Sequence, residues 1–172
     1  FGTLLTDYEL IKEAACNYID YCAGKLRRQH SVASAIKIHL ETNSFRTQDV
    51  QYYNGTVVTL PVASSDTNFL MKHAIQGLDR IFKQGLKYKR VGVSLIGLFP
   101  DNCVQQNLFV NLNPKHTDVQ KVIDKLNMKY EQGTVRSASC GYNKQHWESK
   151  LEMRSPRYTT RLNEILNIGS DV

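Results

Sequence analysis

The chain has 172 residues, of which 41% are hydrophobic and 22% charged. These values are typical of a globular protein and exclude wholesale disorder or a fibrous repeat, and no apolar run approaches the ~20 residues that a membrane-spanning helix needs. A net charge of +6 favours a polyanionic partner such as DNA, RNA or an acidic membrane surface. Since no secretory leader is recognisable, we expect a cytoplasmic protein whose four cysteines are reduced thiols.

The first half of the chain predicts a strand, a helix and two further strands. A short β-prone run at residues 1–5 precedes a capping-box pattern at residues 6–9, and apolar residues then recur at helical spacing to about Arg28. Residues 32–40 alternate with a period of two, which is typical of a half-buried strand. After a long polar connection, residues 56–60 predict a strand that pairs back with it.

A second helix and a last strand complete the predicted domain. Residues 64–67 offer helix caps, an apolar stripe follows from Phe69 to Phe82, and Gly85 ends the helix. Residues 87–95 alternate again and predict a strand. The fold class is therefore α+β, with a four-stranded sheet in the order strand, helix, strand, strand, helix, strand and two helices on one sheet face.

The uncovered sheet face is predicted to be basic. By strand parity it carries Lys37, His39, Arg90 and Ser94, and two further lysines, Lys87 and Lys89, approach its edge. Gly92 lies between β-branched residues, and a strand glycine often marks the close approach of another backbone, here a phosphate backbone. The predicted strands carry no aromatic run of the kind that stacks on single-stranded bases, so duplex backbone is the favoured ligand.

No catalytic or metal-binding pattern is recognisable. Phosphoryl transfer with two metal ions needs carboxylates fixed on adjacent strands, whereas the acidic residues here fall at helix caps and on solvated helix faces. The five histidines are scattered without ligand spacing. We expect neither enzymatic activity nor a cofactor in this part of the protein.

The composition divides the chain into three regions. Residues 1–99 form the predicted DNA-binding domain, residues 100–114 an Asn- and Gln-rich linker, and residues 115–172 a separate tail module. In the tail, a capping-box pattern at residues 117–120 begins a helix that stops at Gly133, and residues 134–139 predict a strand. The apolar stripe of this helix consists of Val119, Val122, Ile123, Leu126 and Tyr130.

Three segments together resemble the C-terminal region of UmuC-like, Y-family translesion DNA polymerases: Lys-Leu-Arg-Arg-Gln at 25–29, Tyr-Lys-Arg-Val-Gly-Val at 88–93 and Ser-Pro-Arg-Tyr-Thr-Thr-Arg at 155–161. The resemblance implies a little-finger domain that lies in the major groove of primer-template duplex without reading sequence, followed by the UmuC-type tail. It also implies a parent DNA-directed DNA polymerase that uses Mg²⁺, with the domains that perform synthesis missing from this chain.

The resemblance also implies which residues contact DNA. Lys89, Arg90 and Ser94 match contacting positions of the family's last strand, Ser34 lies at the start of another strand and Thr3 on the first. With the residues inferred from parity and from the strand glycine, the candidate DNA-binding set is Thr3, Ser34, Lys37, Lys87, Lys89, Arg90, Gly92 and Ser94.

The linker carries a further candidate site. Residues 105–109, Gln-Gln-Asn-Leu-Phe, are similar to the family's sliding-clamp peptide, which implies that Gln105, Leu108 and Phe109 dock into the processivity ring. The basic tail is expected either to extend the DNA footprint or to contact a UmuD-like accessory subunit. Two alternatives stay open for the whole chain: an RNA-binding adaptor of the same topology, and a protein-interaction module without DNA affinity.

Overall fold

A computed structural model describes residues 1–104, 114–131, 133–142, 147–148, 155–161 and 163. In these residues the helices are α1 (Tyr8–Arg28), α2 (Thr67–Ile81) and α3 (Pro114–Tyr130). The strands are β1 (Ser31–Thr42), β2 (Tyr53–Ser64) and β3 (Tyr88–Pro100), and short 3₁₀ turns span Asp101–Cys103 and Ala138–Cys140. The predicted α+β class is confirmed; β1 and β2 extend beyond both ends of their predicted ranges, and β3 begins at Tyr88 and continues past its predicted end to Pro100.

The sheet has three strands in the described residues, with β1 in the centre and antiparallel to both β2 and β3. The predicted first strand is reduced to one bridge, in which Leu5 and Tyr88 exchange backbone hydrogen bonds of 2.9 and 2.7 Å. The backbone N–H of Gly2 instead donates to the carbonyl of Trp147 at 3.1 Å. Because the segment divides its hydrogen bonds between β3 and the tail, no ladder forms there.

Aspartate side chains begin the first two helices. Asp7 accepts a hydrogen bond from the backbone N–H of Glu9 at 3.0 Å, so the cap of α1 is one residue later than the predicted capping box places it. Asp66 accepts from the backbone N–H of Phe69 at 2.7 Å and begins α2 within the predicted cap. Such caps each contribute about 1 kcal/mol because they satisfy backbone donors at the helix start.

Both helices pack on the same face of the sheet, as predicted. Ile36, Ile38 and Leu40 of β1 are completely buried against them, and each buried aliphatic side chain contributes about 1.5–3 kcal/mol. Gly77 allows α2 to approach closely, since a Cβ there would lie 2.9 Å from methyl groups of Ile38 and Val58. The opposite sheet face is left uncovered by α1 and α2.

The tail contributes to the core of the same body. Cys140 is completely buried among residues of α1, α2 and β1, and the side chain of Asn17 donates to its carbonyl at 2.8 Å. The indole Nε1 of Trp147, a residue that is 6% exposed, donates to Oε1 of Glu13 at 2.9 Å. Residues from both ends of the chain therefore pack against α1.

The strand predicted for residues 134–139 does not form. The side-chain amide of Asn127 in α3 donates to the carbonyl of Val135 at 2.9 Å and accepts from its backbone N–H at 2.8 Å. The Asn127 amide therefore satisfies the backbone N–H and carbonyl of Val135, which a neighbouring strand would otherwise have paired with. A 3₁₀ turn follows, and Gly141 takes a positive φ of 75° directly after it.

Helix α3 is oriented differently from the prediction. Its expected apolar stripe is largely exposed, with Val119 and Val122 each 55% and Tyr130 62% accessible, while Gln120 is buried. The Gln120 amide lies 3.3 Å from the hydroxyl of Thr67, and Asp124 binds Arg27. Polar partners on α1 and α2 thus turn the polar side of α3 inward.

Candidate nucleic-acid interface

Four cross-strand rows make up the face of the sheet opposite to α1 and α2, which we call the open face. Residues opposite each other in register share a sheet face. From one end to the other the rows are Tyr53–Glu41–Arg90, Gly55–His39–Gly92, Val57–Lys37–Ser94 and Thr59–Ala35–Ile96.

Three predicted residues lie together on this face. Lys37 and Ser94 are exposed neighbours in register on β1 and β3. Arg90 lies two rows away with its side chain 66% exposed. An ammonium group, a guanidinium group and a hydroxyl group are the donors that most often bind backbone phosphates.

Glu41 is a feature of the open face that the sequence interpretation missed, although strand parity places it beside Lys37 and His39. Its Oε1 accepts from Nε of Arg90 at 3.0 Å, and its side chain is 26% exposed. Because the Arg90 side of this pair is exposed to solvent, the pair contributes only about 0–1 kcal/mol, and Arg90 can exchange the carboxylate for a phosphate at little cost.

Two predicted lysines lie at the edge of the open face rather than in its rows. Nζ of Lys87 is 3.7 Å from Oδ1 of Asp49 in the loop between β1 and β2. Lys89 is half-buried where the register between β1 and β3 shifts. Its Nζ donates to the carbonyl of Phe1 at 2.9 Å, and its own carbonyl accepts from the backbone nitrogen of Phe1 at 3.0 Å.

Thr3 and Ser34 do not join these residues. Thr3 is exposed in the N-terminal segment beside β3. Ser34 shares the parity of Ile36 and Ile38, so it lies on the helix-facing side of β1 and not on the open face that its expected DNA contact requires. A Cβ at Gly97 of β3 would approach the Ser34 hydroxyl to 2.0 Å, which shows how closely β3 covers it.

The space above Gly92 is occupied by a side chain of the same chain. A Cβ on Gly92 would lie 2.0, 2.4 and 2.8 Å from Cε1, Nε2 and Nδ1 of His39. The expected close approach at this glycine is therefore made by an imidazole ring, and phosphate does not need to reach the strand backbone there.

Charge is confined to one end of the open face. Beyond the row of Lys37, the exposed large hydrophobic side chains of β3 are Ile96 and Leu98, which are 38% and 49% accessible, and in the row of Lys37 itself Val57 of β2 is 50% accessible. A polyanion that binds this face is therefore expected to lie across the rows of Lys37, His39 and Arg90 rather than along the whole sheet.

The predicted clamp peptide, with Gln105, Leu108 and Phe109, lies outside the described residues. Within the described part of the chain, no three His, Cys, Asp or Glu side chains come together as metal ligands would. The helices described there are also too short or too polar to cross a membrane.

Comparison with known proteins gives two family matches. The sequence model of the impB/mucB/samB family C-terminal domain matches residues 1–108, and that of a domain of unknown function matches residues 117–168. Protein UmuC of Salmonella typhimurium strain LT2 is 35% identical over 98% of the chain. Protein SamB and Protein ImpB of Salmonella typhimurium are 30% and 28% identical over 96% of the chain. The chain spans only 40%, 39% and 39% of the lengths of these three relatives.

Proposed function

Because this chain belongs to the impB/mucB/samB family, we propose that it anchors an error-prone translesion DNA polymerase of SOS DNA repair on duplex DNA without reading sequence. The resemblance to UmuC-like proteins that the sequence motifs indicated is confirmed by the identity of 35% to Protein UmuC. In this proposal the protein acts in the cytoplasm, and Mg²⁺-dependent synthesis is performed by parts of the parent protein other than these residues.

The observation that carries the proposal is the juxtaposition of Lys37, Ser94 and Arg90 on the open face. Their side chains are exposed on adjacent strands of one rigid sheet, on the side that the helices do not cover. Donors fixed in this way suit phosphate oxygens of a duplex, whose spacing is the same for every base sequence.

Charge reversal tests this assignment. We expect Lys37→Glu combined with Arg90→Glu to weaken duplex binding about tenfold or more, equally for duplexes of unrelated sequence, in fluorescence anisotropy titrations. The matched control is Lys72→Glu, because Lys72 is exposed on α2, which packs on the sheet face opposite to the open face. That control should stay within about twofold of the unmodified chain in a background of added salt. Unchanged affinity of the double variant, with its fold intact by circular dichroism, would remove the DNA site from the open face.

We also propose that Gln105, Leu108 and Phe109 dock into a bacterial sliding clamp. Two adjacent large apolar residues in an Asn- and Gln-rich segment favour burial in a partner's groove. Leu108→Ala with Phe109→Ala is expected to cost on the order of 3 kcal/mol or more of clamp affinity and to leave duplex affinity within about twofold. Calorimetric titration into clamp, paired with anisotropy on duplex, measures both; unimpaired clamp binding would contradict the assignment.

The chain itself is proposed to contribute binding and not catalysis. Primer-extension assays with the 172-residue chain should show no nucleotide incorporation above a mock purification with any divalent metal, and incorporation above that level would contradict this. The tail is proposed to serve a UmuD-like accessory subunit or to lengthen the DNA footprint. Because Cys140 and Trp147 of the tail are buried in the core, the test replaces basic residues of the tail and does not delete it: Arg157→Glu with Arg161→Glu should alter one of these two affinities.

A further inference from the structure

One row of the open face carries a single side chain across three strands. His39 on the central strand β1 is opposite Gly55 of β2 and Gly92 of β3. Both flanking positions lack a Cβ, so the row is a trough that runs across the sheet. We call Gly55, His39 and Gly92 the glycine trough.

The imidazole ring forms part of the trough floor. It lies across Gly92, with three ring atoms within 2.0–2.8 Å of the position that a Cβ would occupy. Among the described residues, buried Nδ1 has no hydrogen-bond partner, and the ring of Tyr53 lies nearby, with the two ring centroids 5.9 Å apart. The residue is half-buried, which leaves Nε2 as the ring nitrogen that a ligand can reach.

The walls of the trough carry the charges of the open face. Lys37 and Ser94 lie in the row on one side, and Arg90, Glu41 and Tyr53 lie in the row on the other. Alternate residues on a strand are about 6.6 Å apart, so the two walls are roughly 13 Å apart. A gap of this width admits a sugar-phosphate strand and brings its phosphate within reach of cations on both sides.

We propose that the glycine trough seats one phosphodiester strand of the bound duplex and that His39 is a DNA-binding residue that donates a hydrogen bond from Nε2 to a phosphate oxygen. This inference rests on the proposed function and adds to it a residue that the sequence interpretation left out of the site. Because Gly55 and Gly92 have no side chain, they leave the trough open. The missing Cβ at Gly92 also leaves room for the imidazole ring of His39 to lie across β3.

Protonation distinguishes this role from simple packing. The charged and titratable groups that face His39 are Lys37 and Glu41 on β1, Tyr53 on β2 and Arg90 on β3. A phosphate group bound at Nε2 favours the imidazolium ion over the neutral imidazole. Duplex binding should therefore take up a proton, so that affinity rises as the pH falls from about 8 to about 6.

The test compares His39→Ala, His39→Gln and the unmodified chain by fluorescence anisotropy on one duplex at several pH values. His39→Ala should bind about five- to tenfold more weakly at the acidic end, since a charge-assisted hydrogen bond is lost. His39→Gln retains an N–H donor and should recover about half of the lost binding free energy, and its duplex affinity should vary less with pH. The control His73→Ala alters a histidine of α2, which packs on the sheet face opposite to the open face, and should change neither quantity. Unaltered affinity in His39→Ala, or an unaltered pH profile in His39→Gln, would overturn the inference.

The Gly92→Ala variant provides an independent test of the role given to the His39 ring. The new methyl group collides with the ring, so the variant should weaken DNA binding and lower the melting temperature, and both effects should be smaller in a His39→Ala background, where the ring is absent. Equal effects in the two backgrounds would contradict the role given to the ring. If Lys37→Glu with Arg90→Glu abolishes binding while the His39 variants bind normally, only this inference fails. If the unmodified chain shows no salt-dependent duplex binding, the proposed function fails first.

Discussion

Arg27 of α1 and Asp124 of α3 form a two-point ion pair, with Nε to Oδ2 at 2.6 Å and Nη2 to Oδ1 at 2.8 Å. The remaining terminal nitrogen of Arg27 donates to the carbonyl of Ser65 at 2.8 Å and to the hydroxyl of Thr67 at 2.9 Å. A single guanidinium group therefore connects α1, the start of α2 and the tail. This arrangement explains why α3 turns its polar side inward.

Removal of this guanidinium group should destabilise the chain. The side chains of Arg27 and Asp124 are only 11% and 25% exposed, and breaking a buried pair by removing one partner typically costs about 3–5 kcal/mol. We expect Arg27→Ala to lower the free energy of unfolding in urea by about 3 kcal/mol. Lys121→Ala is the control, because it breaks an exposed pair with Asp118 and should cost less than about 1 kcal/mol. Equal losses in the two variants would show that the Arg27 pair is not a structural link.

Thiol reactivity reports on the packing of the tail. Burial raises the pKa of the Cys16 thiol to about 11 and that of Cys140 to about 12, whereas Cys103 is exposed. Only the thiolate reacts, so an alkylating reagent at mildly alkaline pH should modify Cys103 first and Cys16 and Cys140 last. Mass spectrometry of timed samples gives the order. Labelling of Cys140 as rapid as that of Cys103 would mean that the tail does not pack against α1.

Asp20 should make stability depend on pH. Burial raises the pKa of its carboxyl group above the ordinary value of 3.8, with Asp124 raising it further and Arg27 and Arg136 opposing. The folded chain thus holds this proton more tightly than the unfolded chain. The favourable contribution of this proton to stability is complete below the ordinary pKa of 3.8 and is lost as the pH rises through the raised pKa of the folded chain.

Asp20→Asn removes that dependence. The variant should melt at a higher temperature than the unmodified chain at neutral pH, and the difference should shrink as the pH is lowered towards about 4. Differential scanning fluorimetry across pH measures this difference. A variant that is destabilised most at neutral pH would show that attraction to Arg27 and Arg136 outweighs the cost of burial.

Glu41 should weaken DNA binding by the unmodified chain. It adds a negative charge to the open face and holds the guanidinium group of Arg90 at 3.0 Å. We expect Glu41→Gln to bind duplex DNA about two- to fivefold more tightly at low salt, an effect that added salt diminishes. Glu9→Gln is the matched control, since Glu9 is exposed on α1 on the opposite side of the sheet. Weaker binding by Glu41→Gln would mean that the carboxylate positions Arg90 for DNA.

Local patterns predicted those parts of the fold that local interactions determine. Strand alternation placed Lys37 and Ser94 on one face because side-chain direction follows directly from the period of two. The cap at Asp66 was predictable because it depends on a hydrogen bond to Phe69 three residues away. The helices α1 and α2 and the central strand β1 were predictable for the same reason, because each follows from the spacing of apolar residues within one segment.

Long-range contacts account for the differences. The orientation of α3 depends on the pairing of Asp124 with Arg27, which are separated by 97 residues. The spacing of apolar residues within α3 does not indicate this contact. Lys89 leaves the alternation of β3 at a register shift that only the pairing with β1 reveals. The close approach at Gly92 is made by the imidazole of His39 across the sheet. Glu41, by contrast, was predictable from parity but was overlooked beside the basic residues.

Salt dependence of duplex binding tests the central claim most directly. Each phosphate neutralised by a lysine or arginine contributes about −0.9 to the slope of log affinity against log salt concentration. For the unmodified chain we predict a clearly negative slope of about −2 or steeper, the same for duplexes of unrelated sequence, and a slope flatter by about two in Lys37→Ala with Arg90→Ala. A slope near zero, or one that this double variant leaves unaltered, would contradict duplex binding by the open face.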